Sequence, residues 1–478
     1  MSGALFAFEA SRLRCRARPE TLYRNRCDRS GESDVERHDT FSALQHSRHA
    51  IDTLFGAPAA RSFAVRYWDG TVESAHDGAV PFTLVIKTPS ALRQMLLPPS
   101  ELSIVEAYLS GVVDVEGELS AAVALGDAIK GRLSSVRALV SLTRDLLALP
   151  SPNGAAAAVR ALRADARVAP SGDKHEPSRD RAAISYHYDV GNDFYALWLD
   201  KRMVYSCAYF HRDDDTLDDA QEAKLDLVCR KLRLAPGDRF LDIGCGWGAL
   251  IIHAATHYGV NAVGVTLSTR QAELATKRIA EAGLSDRCRV ELRDYRDVAA
   301  IGPFDKAASV GMVEHVGVDH LPEYFASAHA ALAPGGLFLN HGIVSVQEGR
   351  PRRWRDLVLR RLWKVDAFID QYVFPDGKLG PFYEVIHAGE TVGFETRDVE
   401  SLREHYARTL GEWLKRLEGN HDRAVAIIGE TEFRVWRLYM TAAQRGFQIG
   451  ALNVLQTLLS KPCQGHTNLP PTREDLFT

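Results

Sequence analysis

The sequence predicts an α/β protein in which a smaller N-terminal α/β unit precedes a larger domain with a Rossmann-like, doubly wound parallel sheet. Three observations predict this. From residue 184 onward, short apolar runs alternate with helical stretches, as in a parallel sheet covered by helices on both faces. At 240–248 an apolar strand leads into three alternating glycines and then into an apolar helical pattern. A segment rich in Pro, Gly and charge separates these elements from the N-terminal unit.

Composition is that of a soluble globular protein. The 478 residues suggest two or three domains, and 46% hydrophobic and 25% charged residues are ordinary values. The formal net charge of −4 gives no basic field, so we expect no nucleic-acid partner. No apolar run is long enough to span a bilayer, so any membrane contact should be peripheral. The seven cysteines lack metal-ligand spacing, which indicates reduced thiols in a cytoplasmic setting and no metal site.

The chain divides into four predicted segments. Residues 1–40 are rich in Arg and then in Gly, Ser and acids, which indicates a disordered or mis-assigned tail. Residues 41–150 form the accessory unit, residues 151–183 a linker and residues 184–478 the larger domain. The accessory unit should contain strands at 62–68 and 82–87, with helices at 101–110, 120–130 and 136–149.

Five parallel strands are expected in the larger domain, at 239–243, 261–266, 289–292, 306–310 and 336–339. In such sheets the ligand lies beyond the carboxyl ends of the strands. We therefore expect the site to be formed by the residues that follow them, at 244–248, 267–271, 294–295, 311–314 and 341–343.

The turn Gly244-Cys245-Gly246-Trp247-Gly248 is the strongest local signal. Alternate glycines let the backbone approach a ligand closely, and the free N–H groups of the next helix can meet a carboxylate. The spacing differs from the GxGxxG pattern that cradles a pyrophosphate, which favours a nucleoside without phosphates, most commonly S-adenosylmethionine (SAM). A plain strand-to-helix turn is the alternative.

The second strand of the sheet ends without the acidic residue that often holds a ribose. Hydroxyl and amide side chains, from Thr266, Ser268 and Gln271, stand there instead. Ser268 could equally cap the following helix. Both roles remain open for this residue.

Several longer motifs occur in a specific order along the chain. They are YHYDVGNDFY at 186–195, YSCAYF at 205–210, the turn at 241–248, 264–268, EHVG at 314–317, HGI at 341–343 and HYARTL at 405–410. On these motifs the chain from about residue 185 resembles the cyclopropane-fatty-acyl-phospholipid synthases and the related mycolic acid cyclopropane synthases. The N-terminal unit, with its motifs at 106–108 and 114–117, is similar to the accessory domain of the phospholipid-acting branch. The mycolic branch generally lacks that domain.

The resemblance implies a class I SAM-dependent methyltransferase fold and a specific reaction. The methyl group of SAM would pass to the double bond of an unsaturated phospholipid acyl chain, giving a carbocation. Loss of one proton to a bound bicarbonate would then close a cyclopropane ring. An alkene is a poor nucleophile, so such a site should be dry and lined by aromatic faces. The aromatic residues near the first motifs fit this need, although a packed aromatic core is the alternative for any one ring.

The resemblance assigns the bicarbonate ligands to Glu314, His341 and Tyr406, completed by the backbone near Cys207 and Ile343. A carboxylate beside an anion requires a proton on Glu314, or one shared with bicarbonate, because two close anions cannot both stay charged cheaply. A buried structural ion pair of Glu314 and His341 is the alternative. The position of both residues after predicted strands favours function.

The resemblance also assigns the SAM contacts. Tyr205 and Ser206 would meet the methionine end, and the Gly244–Gly248 turn the carboxylate and ribose. The other assigned residues are Asp242, Thr266, Leu267, Ser268 and Gln271, followed by Asp294 and Tyr295 at the adenine ring.

A basic stretch at 350–364 carries interleaved Trp and Leu, within an expected lid at 347–379. Such a segment can lie on an anionic bilayer, or it can simply cover the domain with its charged heads in water. We expect a cytoplasmic protein, peripheral to the inner face of the membrane, and the resemblance allows a homodimer formed through the accessory domain. The rival functions are a relative that leaves a methyl branch or a methylene, a small-molecule methyltransferase, and a non-catalytic lipid-binding protein.

Overall fold

The computed structural model describes residues 34–74, 79–132, 136–152, 179, 190–346, 367–374, 377, 379–467 and 469–476. Most of the expected linker, the first part of the YHYDVGNDFY motif and the basic stretch at 350–364 lie outside the described residues. The N-terminal unit consists, in chain order, of α1 (Asp34–Phe55), β1 (Ala64–Arg66), β2 (Val72–Glu73), β3 (Phe82–Ile86), α2 (Ala91–Leu96), α3 (Glu101–Leu109), β4 (Val113–Gly117), α4 (Leu119–Arg132) and α5 (Val136–Ala148).

The N-terminal unit has its own four-stranded sheet, in the order β2-β1-β3-β4. A separate apolar core packs α1, α2 and α5 against this sheet through residues such as Ile51, Phe63, Leu92 and Leu146. The start of α1 at Asp34 corrects the expectation of a tail up to residue 40. The sequence around Asp34 is polar and lacks apolar periodicity at its start, so the helix depends on packing of its later turns, around Ala50 and Ile51, against the core.

The larger domain begins with the short helix α6 (Asn192–Tyr195) and contains a seven-stranded sheet. Its strands are β5 (Arg239–Ile243), β6 (Asn261–Thr266), β7 (Cys288–Leu292), β8 (Phe304–Val310), β9 (Leu332–Ser345), β10 (Glu395–Ser401) and β11 (Leu452–Ser460). The order is β10-β11-β9-β8-β5-β6-β7, and the five strands from β9 to β7 are parallel. This arrangement confirms the predicted doubly wound α/β architecture.

Two features of the sheet differ from the sequence-based expectation. Strand β11 runs antiparallel to both β9 and β10, so the sheet is mixed. Strand β9 continues to Ser345, because it is paired along its length with β11, and His341 and Ile343 therefore lie inside the strand instead of after it. Pairing between strands so far apart in the chain leaves no local signal.

Helices cover both faces of this sheet. They are α7 (Leu217–Lys231), α8 (Ala249–Tyr258), α9 (Thr269–Glu281), α10 (Val313–Val316), α11 (Leu321–Ala331), α12 (Ala367–Tyr372), α13 (Phe382–Thr391), α14 (Arg403–Gly419) and α15 (His421–Gln448). One apolar cluster joins the sheet to α7 and α8, and another joins it to α11 and α13. Successive residues of β5 point to opposite faces of the sheet, so Phe240 packs in the cluster with α7 and α8, whereas Leu241 packs in the cluster with α11 and α13.

The long helix α15 joins the two units. The Arg434 guanidinium donates to the Asp114 carboxylate at 2.9 Å and to the Tyr108 carbonyl oxygen at 3.0 Å. Arg437 reaches the Tyr108 hydroxyl at 3.3 Å. Two accessory motifs singled out in the sequence, around Tyr108 and Asp114, therefore contact the larger domain.

No helix in the described part of the chain is long and apolar enough to cross a bilayer. Within the same ranges there is no group of three or more side chains placed to hold a metal ion.

Candidate active site

A cleft opens at the carboxyl ends of the central strands, and its empty space, open solvent included, is about 1150 Å³. It is lined by all but two of the residues predicted to bind the cofactor, namely Tyr205, Ser206, Asp242, Gly244, Cys245, Gly246, Trp247, Thr266, Leu267, Gln271, Asp294 and Tyr295. The sheet brings these residues together although they come from segments scattered over about ninety residues of chain. The position of the cavity, at the carboxyl ends of parallel strands, is the usual place for a nucleoside ligand in such a sheet.

The glycine turn forms one wall of the cavity. Gly244 and Gly246 have φ of 84° and 52°, in the left-handed region that favours glycine. Gly248, also at positive φ, does not line the cavity, and a Cβ there would lie 3.1 Å from the Ala275 Cβ on α9. The first two glycines shape the ligand wall, whereas the third permits close packing between helices.

Hydroxyl and amide groups line the end of β6. The Thr266 hydroxyl donates to the Gln271 side-chain oxygen at 2.7 Å. Ser268 does not line the cavity, and its hydroxyl accepts a hydrogen bond from the Gln271 backbone N–H at 3.3 Å, as the N-cap of α9. The structure therefore shows the capping role for Ser268 that the sequence had left open.

Asp294 and Tyr295 lie on the adjoining wall, but their side chains already have partners. The Asp294 carboxylate pairs with the Arg296 guanidinium at 3.0 Å and caps the following turn by accepting from the Arg296 N–H. The same guanidinium lies over the Tyr295 ring, 4.5 Å from its centroid. Arg296 also lines the cavity, and the sequence analysis did not single it out.

Lys224 is another cavity residue that the sequence analysis missed. Its side chain is almost fully buried, and its Nζ donates to the Ser206 hydroxyl at 2.9 Å. Burial lowers the pKa of Lys224 to about 8 and raises the pKa of the nearby Asp242 to about 7. A lysine among the buried apolar residues of α7, such as Leu225 and Val228, was the signal that could have found it.

Glu314 lies on α10, between cavity residues Met312 and His315. Its Oε1 accepts a hydrogen bond from the Ile343 backbone N–H at 2.7 Å. The residue as a whole keeps some solvent contact, but Oε2 is fully buried and has no hydrogen-bond partner among the described residues. Burial raises the pKa of Glu314 to about 7, because the charged form loses its hydration.

His341 lies on β9, two residues before Ile343, and is 1% exposed. Its Nδ1 lies 3.2 Å from the side-chain nitrogen of Gln456 on β11. Its Nε2 is buried and has no partner within the described ranges. Burial, and secondarily the charges of Lys224 and Lys231, lower the pKa of His341 well below its usual value.

Cys207 and Tyr406 belong to one apolar cluster, against which Ile343 packs. The Cys207 thiol donates to the Leu402 carbonyl oxygen at 3.7 Å, just before α14, and burial raises the pKa of the thiol. Two further hydrogen bonds, both at 3.0 Å, hold the segment 207–210 to α14. The Ala208 N–H donates to the Thr409 hydroxyl, and the Phe210 N–H donates to His405 Nδ1. Tyr406 follows His405 on this helix, so the YSCAYF segment and the HYARTL helix form one wall.

The aromatic residues around the first motif form a packed cluster. Phe194, Tyr195 and Trp198 are fully buried, which is the core role that the sequence had left as the alternative. Tyr205 contacts Tyr195 and Trp198, with ring centroids 5.6 and 5.3 Å away, and also lines the cavity. The cluster is therefore structural behind the cavity and contributes an aromatic face to it.

The residues present fit a small oxyanion beside a zwitterionic nucleoside. Glu314 Oε2 and His341 Nε2 are two buried polar atoms without partners among the described residues, and Asp242 Oδ1 on the cavity wall is a third. Buried polar atoms of native proteins are almost always hydrogen-bonded, so these three atoms are available for ligand contacts. Asp242 lines the cavity, whereas Glu314 and His341 lie next to residues that line it.

Two family models match the chain. That for mycolic acid cyclopropane synthetase covers residues 175–457, and one for a domain of unknown function covers residues 50–129. A protein of Pseudomonas putida, named "Probable fatty acid methyltransferase", is 39% identical over 417 residues, which is 86% of this chain and 95% of that protein.

Mycobacterial cyclopropane mycolic acid synthases match the larger domain. Cyclopropane mycolic acid synthase 3 of Mycobacterium tuberculosis is 39% identical over 280 residues, which is 58% of this chain and 96% of the relative. The crystal structure of mycolic acid cyclopropane synthase CmaA1 complexed with SAH and CTAB is similar with a TM-score of 0.55 and 36% identity, covering 60% of this chain and 99% of that one.

We predict that the stability of a Glu314→Gln variant relative to the wild type depends on pH. The folded wild type retains a proton up to about pH 7, whereas the unfolded chain releases it near 4.5, so the wild type loses stability as pH rises between these values. Glutamine has no such loss. The difference in unfolding free energy should move by up to about 3 kcal/mol in favour of the variant across this window, measured by denaturant titration without ligands.

The matched control is Glu273→Gln, at an exposed position on α9. A difference between wild type and Glu314→Gln that stays constant from pH 4.5 to 7 would contradict the raised pKa of Glu314.

Proposed function

The chain belongs to the mycolic acid cyclopropane synthetase family, and on this basis we propose that it converts the double bond of an unsaturated phospholipid acyl chain into a cyclopropane ring. It is a SAM-dependent methyltransferase of this family. The observation that carries the finer proposal is a pair of buried atoms, Glu314 Oε2 and His341 Nε2, that have no partner among the described residues. Glu314 lies between cavity residues Met312 and His315, and the His341 carbonyl oxygen accepts from the N–H of cavity residue Gly311.

When bound, SAM supplies the methyl group and bicarbonate accepts the proton that leaves it. Glu314, His341 and Tyr406, with the backbone near Cys207 and Ile343, would hold the bicarbonate. The raised pKa of Glu314 supports this role, because the carboxyl can keep a proton on Oε2 and donate it to an anion. The low pKa of His341 keeps that ring neutral beside the site. The buried aromatic wall excludes water, which would otherwise capture a cationic intermediate.

A second cavity supports an acyl substrate. Its empty space, open solvent included, is about 490 Å³, and its lining is mainly apolar and aromatic, from Val190, Tyr372, Val373, Val435, Trp436 and Tyr439. Glu432 is the one acidic residue of this lining, and burial raises its pKa, which favours the uncharged form. Burial, with the charge of the neighbouring Glu314, raises the pKa of Tyr439 to about 12. Tyr439 is therefore close to both the second cavity and the proposed bicarbonate ligands, as a route for an acyl chain requires.

We predict that purified protein with SAM, bicarbonate and liposomes of monounsaturated phospholipid yields acyl chains heavier by CH₂. Mass spectrometry gives the added mass, and upfield ring protons in proton NMR separate a cyclopropane from a methylene. Glu314→Leu should lower turnover by about tenfold or more, because the variant loses the hydrogen bond to the anion, while SAH still binds.

A product with two further hydrogens would show a reduced methyl branch, and a methylene signal would show the other related ending. Turnover on soluble acceptors but not on liposomes would contradict the lipid substrate. SAH binding with no product from any acceptor would indicate a non-catalytic protein.

We further propose that the methionine end of SAM lies between Lys224 and Asp242. Both side chains line the cavity, and Lys224 is already joined to Ser206, which is assigned to that end. A carboxylate near Lys224 and an ammonium near Asp242 would each recover the charge interactions that burial removes. Burial shifts the pKa of both residues toward the uncharged form, and a ligand group of opposite charge beside each would offset that shift.

Lys224→Met should weaken binding of SAH by about tenfold or more and leave binding of decarboxylated SAM nearly unchanged, because only the first ligand carries the carboxylate. Isothermal titration calorimetry on both ligands measures this. Lys306→Met, at a half-buried lysine at the opposite end of β8, is the control. Equal weakening of both ligands would show that Lys224 merely supports the fold of the cavity.

We propose that the substrate is reached at the cytoplasmic membrane surface through the basic stretch at 350–364. The proposal rests on sequence alone, because this stretch lies outside the described residues. Seven Arg and Lys residues with interleaved Trp and Leu suit an anionic surface, where each charge contributes about 1 kcal/mol. The Pseudomonas putida relative, named a probable fatty acid methyltransferase, extends by its coverage over the N-terminal unit, whereas the mycolic acid synthase matches 58% of this chain. This difference supports a fatty acyl substrate over a mycolic one.

Replacing Arg352, Arg353 and Arg355 by Gln should weaken sedimentation with anionic liposomes at low salt by about tenfold or more, since three surface charges are lost. Arg287→Gln with Arg289→Gln, at the start of the edge strand β7, provides the control. Unchanged binding of the triple variant would exclude this stretch as the membrane contact.

A further inference from the structure

Lys231 is a buried lysine at the end of α7, and none of the roles described so far uses it. It is 2% exposed, and its Nζ forms an ion pair with Glu400 on β10. The same Nζ donates a hydrogen bond to the Gln456 side-chain oxygen at 2.7 Å. Asp398 lies 3.9 Å away and is itself paired with Arg473. The lysine charge is thus balanced by carboxylates while one donor is directed at Gln456.

The lysine determines which way the Gln456 amide faces. An ammonium group has three donors and no acceptor, so the amide atom that faces it must be the oxygen. The amide nitrogen then faces the other way, toward His341 Nδ1 at 3.2 Å. Antiparallel pairing of β9 and β11 places His341 and Gln456 directly opposite each other, which holds this contact in register.

The orientation of the amide in turn fixes the proton of His341. The low pKa of His341 means a neutral ring, which carries one proton on one of its two nitrogens. Because an amide nitrogen can only donate, Nδ1 must accept and cannot carry that proton. The proton is therefore on Nε2, the buried atom that has no partner among the described residues.

We propose that Lys231 and Gln456 are positioning residues that hold the proton of His341 on Nε2, so that this atom donates a hydrogen bond to the bound anion. The inference rests on the proposed bicarbonate site. In the opposite tautomer, a lone pair on Nε2 would face the anion and repel it. The hydrogen bonds from Lys231 to Gln456 and from Gln456 to His341 thus favour an oxyanion at Nε2. Lys231 exerts this effect through two other side chains and need not contact the ligand.

The first test is spectroscopic and needs neither turnover nor ligand. Ring ¹⁵N shifts of ¹⁵N-histidine-labelled protein, with the His341 signals identified by their loss in His341→Gln, report which nitrogen is protonated. We expect Nε2 to be protonated and Nδ1 bare in the wild type. In Lys231→Met the amide is free to rotate, and in Gln456→Met the donor is gone, so both variants should show a substantial Nδ1-protonated fraction.

The second test separates positioning from folding. Lys231→Met and Gln456→Met should raise the KM for bicarbonate by about tenfold or more, as expected for one hydrogen bond to a charged group, and leave SAH binding by calorimetry unchanged. Lys231→Arg, which also presents only donors, should largely restore the wild-type KM. Lys306→Met, a half-buried lysine of the same sheet away from the site, should have no effect.

A wild-type His341 protonated on Nδ1 would overturn the inference, and so would an unchanged bicarbonate KM in both methionine variants. Parallel losses of SAH binding and melting temperature would show a purely structural role. If wild-type turnover does not depend on bicarbonate, the proposed base fails, while the NMR measurement on the wild type still decides which nitrogen of His341 carries the proton. That measurement also stands if a variant does not fold.

Discussion

Exclusion of water from the carboxyl edge of the seven-stranded sheet is the constraint on which the site depends. Glu314 Oε2, His341 Nε2 and Asp242 Oδ1 are buried there without protein partners among the described residues. Each such atom lowers the free energy of unfolding by about 1–3 kcal/mol relative to a hydrogen-bonded one, so the site reduces the stability of the fold. The same desolvation raises the pKa of both carboxyl groups to about 7 and lowers that of the histidine. Neutral hydrogen-bonding groups in a site shielded from water would suit the proposed reaction.

The wall that keeps water out is built from two segments far apart in the chain. The backbone N–H groups of Ala208 and Phe210 bond to Thr409 and His405 on α14, and the Cys207 thiol bonds to the Leu402 carbonyl. These contacts align the YSCAYF segment along the helix that carries Tyr406. They explain why His405 and Thr409 belong to the same motif as Tyr406, since they hold the helix to the segment beside the cavity.

The accessory unit is attached to the helix that also lines the second cavity. Arg434 and Arg437 of α15 bond to Tyr108 and Asp114, while Trp436 and Tyr439 of the same helix line that cavity. The Tyr372 hydroxyl, on the short helix α12, contacts the Glu106 carboxylate at 3.4 Å. Movement of the accessory unit would therefore shift the helix that lines the proposed acyl route. The motifs around Tyr108 and Asp114 hold that helix to the accessory unit.

The sequence by itself determined the doubly wound sheet, the glycine turn and the family, because these depend on local pattern: apolar periodicity, alternate glycines and contiguous motifs. It also identified most of the cavity wall, since residues after parallel strands meet at one edge. Only the tertiary structure decided that Ser268 caps a helix, that Asp294 is paired with Arg296, and that α1 begins at Asp34. It alone showed strands β10 and β11 and the roles of Lys224, Lys231 and Gln456. The contact of Gln456 with His341 spans 115 residues and that with Lys231 spans 225, so no local pattern encodes either contact. Burial shifts the pKa values and removes polar atoms from water, and it exists only once the chain has folded.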